Sequence, residues 1–124
     1  MMSNSLYLDM DTYQHEALKT LKHGSIGHLT NGLYAEVGEV AALFQKHNRK
    51  DPRYHSSQDD MFSISGYTDE FRSSLYKELG DVLWYTACLA EYFGFPMSSI
   101  AAHNIHKLQE REKKGTIQGN GDNR

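Results

Sequence analysis

The sequence predicts an all-α protein built as a four-helix bundle. Three observations carry that reading. Apolar residues recur at helical spacing in four separate stretches. No stretch alternates apolar and polar residues as a half-buried strand would. Glycine, proline or polar clusters separate the four stretches. At 124 residues the chain reads as one domain, 1–124, with an irregular tail over 115–124.

The first helix is expected from Asp9 or Asp11, both good N-caps, to about His23. Tyr13, Ala17, Leu18 and Leu21 form its apolar stripe, and Gly24 to Gly27 break it. The second is expected from Thr30 or Asn31 to His47, with Leu33, Val37, Val40, Ala41 and Phe44 inward. A long polar loop then separates helices two and three, from Asn48 to about Thr68, with a short helical turn near Asp59 to Ile64. A loop of that length in a small domain is more often functional than idle. The third helix runs from Thr68 or Asp69 to Tyr92 or Phe93, and is the longest and most apolar, through Leu75, Leu79, Val82, Leu83, Trp84, Leu89 and Phe93. Gly94 stops it. Pro96 suits the first turn of a fourth helix that reaches Lys113, with Ile100, Ala101, Ile105 and Leu108 inward.

Composition narrows the function classes. Apolar residues make up 39% and charged residues 23%, ordinary for a soluble globular chain. A net charge of -3 argues against a general nucleic-acid binder, which needs a basic face. The lone cysteine, Cys88, allows no internal disulfide and fits a reducing cytoplasm. Nothing approaches the ~20 apolar residues of a membrane span. Met1 to Met10 holds no basic residue, so it does not read as a signal peptide.

The informative feature is four acids set in apolar helix. Helix two contains Glu36-Val37-Gly38-Glu39-Val40, and helix three contains Glu78-Leu79-Gly80-Asp81-Val82. Residues three apart share a helix face, so each pair projects together. Ionised carboxylates against a core are costly without compensation, and two facing pairs gather negative charge that a divalent cation relieves. Oxygen-only ligation favours a hard ion, Mg²⁺, with Mn²⁺ able to substitute. No histidine follows a glutamate at the spacing of carboxylate-bridged iron proteins, which counts against redox chemistry. The matching glycines, Gly38 and Gly80, each cost a helix roughly 1 kcal/mol and suggest close approach of the two helices, or of a ligand. The bland alternative is two solvated acidic faces.

Other residues read as structural. His103 and His106 are three apart but lack further zinc ligands nearby, and His15 and His28 are lone histidines. Trp84 follows Val82 and Leu83 and reads as core or subunit-interface packing. Cys88, in apolar helix, reads as inert.

With these residues in view, the chain resembles the all-α nucleotide pyrophosphohydrolases of the MazG type, a group that includes dimeric dUTPases and dCTP pyrophosphatases. The resemblance rests on both acid pairs, on Lys77 through Tyr85, on Asn104-Ile105-His106-Lys107-Leu108 with Arg111, and on the tail from Lys114 to Arg124. It covers about residues 11–124. It implies cleavage of a nucleoside triphosphate between the α and β phosphates, with Mg²⁺ on Glu36, Glu39, Glu78 and Asp81. It also implies that Asn104 touches the sugar or a metal-linked water, and that Tyr85 lies by the sugar or base. A carboxylate not fully engaged by metal would act as general base, Glu39 first and Glu36 as the alternative.

Triphosphate charge needs cations, and Lys46, Lys107 and Arg111 are the candidates. Lys46 lies two turns past Glu39, and the other two lie a turn apart beyond Asn104. Arg49, Lys50, Arg53 and Arg72 flank the long loop and could close over substrate. The expected substrate is a deoxynucleotide such as dCTP or dGTP. Apolar residues on several faces of helix three point to a homodimer or homotetramer. The competing function is a non-catalytic nucleotide- or protein-binding helical module stabilised by metal.

Overall fold

A computed structural model of the chain describes residues 8–50 and 66–122. Among these residues all regular structure is helical, in the order α1 (Met10–Leu18), α2 (Ile26–Lys50), α3 (Asp69–Tyr92) and α4 (Met97–Lys114). The expected all-α, four-helix architecture is what the chain adopts. The expected turn at Asp59 to Ile64 lies outside the described residues.

Asp9 caps α1 by accepting the Thr12 N–H at 2.7 Å. The helix stops at Leu18 rather than His23. The N–H groups of Lys19, Thr20 and Leu21 bond three residues back, to Glu16, Ala17 and Leu18, which tightens and ends the last turn. Thr20 Oγ1 donates to the Ala17 carbonyl at 2.7 Å. That hydroxyl in turn accepts Trp84 Nε1–H at 2.8 Å, so the end of α1 is shaped to receive the indole.

α2 begins four residues earlier than Thr30. Ser25 is its cap, with Oγ accepting the His28 N–H at 3.2 Å and its carbonyl accepting the Leu29 N–H at 3.0 Å. A good cap outweighs the glycines on either side of it, and Gly27 is helical. The helix also continues past His47 to Lys50. α3 matches expectation, with Thr68 Oγ1 accepting the Phe71 N–H at 3.1 Å. Gly94, with φ 72°, reverses the chain after α3. Gly115, with φ 70°, ends α4 in the left-handed conformation that glycine tolerates.

α3 is the central element, with α2 and α1 packed on it. Facing pairs fix the direction of α2: Gly32 meets Tyr85, and Phe44 meets Phe71 at 5.1 Å between ring centroids. The numbers fall on one helix as they rise on the other, so the two run antiparallel. An aromatic cluster closes the far end, with Tyr67 stacked on His47 at 4.7 Å and on Phe71 at 4.9 Å.

The corner between α3 and α4 is pinned by Gln14 of α1. Its side-chain nitrogen donates to the carbonyls of Phe95 at 3.0 Å and Ala87 at 3.4 Å. Its oxygen accepts the Met97 N–H at 2.9 Å, so one neutral side chain ties three elements. Asp11 reinforces the same corner, accepting from the Ser98 N–H at 2.9 Å and from its hydroxyl.

The core is made of small side chains. Ala17, Leu29, Ala87, Cys88, Ala90 and Met97 are buried. Several apolar residues are exposed: Val37 on α2, Leu79, Leu83 and Phe93 on α3 or just after it, and Ile100, Ile105 and Leu108 of the stripe expected inward on α4. The physical reason is placement. Among the described residues α4 packs mainly against α1, without extended packing on α2 or α3, so much of its apolar stripe is left uncovered.

Candidate metal centre

The acids sit on facing stretches of α2 and α3. Glu36 on α2 and Glu78 and Asp81 on α3 each offer one carboxylate oxygen, and these oxygens all lie within 4.8 Å of one another. Glu36 and Glu78 are half-buried and Asp81 is exposed. Glu39, one turn along α2 from Glu36, is exposed and stands outside that group of three. The structure thus brings three of the four acids together.

The grouping is electrostatically costly. At this separation two carboxylates repel by about 1–3 kcal/mol per pair, between the dielectric limits of water and a protein surface. Glu36 records the strain. Its carboxyl is pushed above the usual glutamate range, first by burial, then by the charges of Asp81, Glu78 and Glu39, and by a hydrogen bond with Glu78. A proton or a cation relieves such a cluster. An oxygen-only donor set of this kind fits a hard divalent ion.

Stability should follow. Because the folded-state value of Glu36 is raised, the folded chain holds a proton that the unfolded chain has released. Glu36 therefore favours folding fully below its unfolded value, and that contribution is lost as pH rises through the folded value. In chelator, the melting temperature is expected to fall as pH climbs from the usual glutamate value of 4.5 through the raised one. Added Mg²⁺ should flatten that slope, which paired melts across the range would check.

Gly38 and Gly80 do not mark close helix approach. A Cβ added at either would meet no neighbouring group within 4 Å. The close contact is at Gly32, one turn before Glu36, where the Tyr85 ring lies against α2. Tyr85 is half-buried, with Trp84 edge-on at 4.9 Å and His28 tilted at 6.3 Å. It therefore stands beside the acid cluster.

The other expected site residues are placed differently. Lys46 is exposed on α2, two turns beyond Glu39. Asn104 is exposed on α4. Lys107 is half-buried and Arg111 is only 5% exposed, and both are engaged by the tail. Asp122 Oδ1 accepts from Arg111 at 3.0 Å and from Lys107 at 3.3 Å, and the Gly121 carbonyl also accepts from Arg111 at 3.3 Å. The Asp122 carboxyl is held below the usual aspartate range by Arg111 and Lys107. The tail expected to be irregular therefore folds back on α4. α4 itself, among the described residues, packs mainly on α1 rather than on the acid-bearing pair of helices. Of the residues flanking the long loop, Arg72 pairs loosely with Asp69 at 3.8 Å and Arg49 is exposed. Arg53 and the Lys50 side chain lie outside the described residues.

Sequence reasoning missed Gly32, Gln14 and Asp122. Gly32 sits in the right motif, yet its partner is fifty-three positions away, 85 − 32 = 53, and nothing local announces it. Gln14 is a lone amide among apolar stripe residues, and such a position is the only signal it gives.

A family model described as the MazG nucleotide pyrophosphohydrolase domain matches residues 25–116, from the Ser25 cap of α2 through α4. The chain is 35% identical over 126 residues to the Gene 37 protein of Mycobacterium phage L5, covering 94% of this chain and 100% of that one. No solved structure matches.

Proposed function

The chain belongs to the MazG nucleotide pyrophosphohydrolase family, and from that premise we propose that it hydrolyses a nucleoside triphosphate between the α and β phosphates. The products are a monophosphate and pyrophosphate. The observation that carries the reading is the convergence of Glu36, Glu78 and Asp81 from two helices. Mg²⁺ is the proposed ion, with Glu39 completing the ligand set from one turn along α2. Bound there, it would polarise phosphoryl oxygens and sharpen an attacking water.

Glu39 is the proposed general base. It is exposed and lies at the edge of the three grouped carboxylates, so it would be the ligand least engaged by the ion. Glu36 is the alternative. Tyr85 borders the nucleoside. Lys46, Asn104, Lys107 and Arg111 meet sugar and phosphates. Deoxynucleotides such as dCTP or dGTP are the proposed substrates, and control or sanitising of the nucleotide pool is the proposed role. Among the described residues, no helix is long and apolar enough to cross a membrane.

We propose that the working form is a homodimer or homotetramer. A small core and an exposed stripe of Ile100, Ile105 and Leu108 on α4 support it. In such an assembly the cations of α4 would serve a neighbouring copy's acids. Light scattering should return a mass at least twice the 14.2 kDa of one chain, and a monomer at micromolar concentration would remove this part of the reading.

The activity is tested by phosphate release with added inorganic pyrophosphatase, across every canonical ribo- and deoxynucleoside triphosphate, with Mg²⁺ or chelator. A Mg²⁺-dependent product is expected with at least one. Silence across the set would favour a non-catalytic binding module.

A further inference from the structure

Gly32 occupies an interior position of α2, one turn before Glu36. A Cβ built there would stand 2.8 Å from Tyr85 Cδ1 and closer still to Cε1 and Cζ, inside the separation that real Cβ atoms keep. The ring thus lies across bare helix backbone. It has no easy retreat. Trp84 packs edge-on against it at 4.9 Å, and the indole is itself fixed by Nε1–H bonds to Thr20 Oγ1 at 2.8 Å and the Ala17 carbonyl at 3.2 Å. His28, one turn before Gly32, lies at 6.3 Å from the ring.

The contrast with the neighbouring glycines is informative. Gly38 on α2 and Gly80 on α3 have open space where a side chain would go, and Gly32 does not. Glycine inside a helix is unfavourable relative to alanine, so an interior glycine with a filled Cβ position has a packing reason to be there.

We propose that Gly32 is a positioning residue, whose missing side chain seats the Tyr85 ring against α2 beside the Glu36, Glu78 and Asp81 cluster and so sets where the nucleoside lies relative to the metal. This rests on the reading of the site as a nucleotide pyrophosphohydrolase. Any side chain at position 32 would have to displace the ring from its seat on α2. Gly32 acts through Tyr85 and touches no reacting group.

The test is a double-mutant cycle between positions 32 and 85, read by thermal melting and by steady-state kinetics. Gly32→Ala is expected to lower the melting temperature, whereas Gly38→Ala, used only as the melting control, raises it. Gly32→Ala should also raise KM about tenfold with kcat held within about twofold, the pattern of lost ground-state placement. In a Tyr85→Ala background the ring is gone, so adding Gly32→Ala should raise the melting temperature and change KM no further. Trp84, the only tryptophan, gives a third readout. Its emission should shift in Gly32→Ala and be insensitive to position 32 once Tyr85 is alanine. If Gly32→Ala alone does not fold, recovery of folding in the double variant supports the same coupling.

A Gly32→Ala protein that melts higher and keeps its KM overturns the proposal. Additive effects in the Tyr85→Ala background overturn it equally. The melting and emission arms need no nucleotide, so they decide the docking even if no triphosphate is hydrolysed. Normal coupling there with no turnover in the parent protein would overturn the enzymatic reading instead.

Discussion

Asp81→Asn is expected to abolish Mg²⁺-dependent triphosphate hydrolysis, because an uncharged amide replaces a metal-ligating carboxylate, while the helical circular dichroism stays unchanged. The substitution keeps shape and removes charge. Asp81 is exposed on α3 and buries nothing of consequence, so the fold has no reason to respond. The cluster does. Asp81 is the largest charge holding the Glu36 carboxyl high, after burial. Removing it relieves repulsion in the metal-free protein and weakens the cluster's hold on a cation. Two melting readouts should therefore move in opposite directions. The chelated variant melts slightly higher than its parent, and the gain on adding Mg²⁺ shrinks. Rates near those of the parent, or an undiminished Mg²⁺ stabilisation, would sink the proposed metal centre.

Gln14→Leu is expected to destabilise the chain by about 2–4 kcal/mol, through the buried Met97 N–H and the part-buried Phe95 carbonyl left without their partner, at about 1–3 kcal/mol for a buried group. Met97 is the first residue of α4, and Pro96 before it offers no side-chain cap. Gln14 Oε1 is the partner of the Met97 N–H, and Gln14 Nε2 serves the Phe95 carbonyl. Leucine fills the space and satisfies neither. Against a typical stability of about 5–15 kcal/mol this is a large fraction. The melting temperature should drop by about 10 °C for a domain of this size. Turnover per folded molecule should survive at low temperature, since the acids lie toward the other end of α3. A variant melting within a degree or two of the parent would show that another group holds the corner.

What could be read from the sequence follows from where the physics is local. α3 came out at its expected bounds because Thr68 and Gly94 each act on the residues beside them, one at either end of a continuous apolar run. The acid pairs were legible for the same reason, as spacing along one helix fixes a face. The start of α2 was not, because a serine cap between two glycines is a contest that local rules do not decide. The end of α1 depends on Thr20 meeting Trp84, sixty-four positions away. The inward face of α4 was misassigned because its stripe is a true helical stripe that the described residues leave largely uncovered. The expected approach of α2 and α3 at Gly38 and Gly80 was displaced to Gly32, where an aromatic ring rather than a backbone fills the gap.

Cys88 gives the core a built-in clock. It is the only cysteine, it is 1% exposed, and burial raises its thiol above the ordinary range. It sits among Ala87 and Ala90, on the half of α3 that α1 covers. A thiol reagent in solution therefore reaches it only when that region opens, and reacts slowly even then until the thiolate forms. The labelling rate becomes a count of how often the helices part. Nucleotide, Mg²⁺ and chain concentration can each be asked, through one sulfur atom, whether they hold the molecule shut.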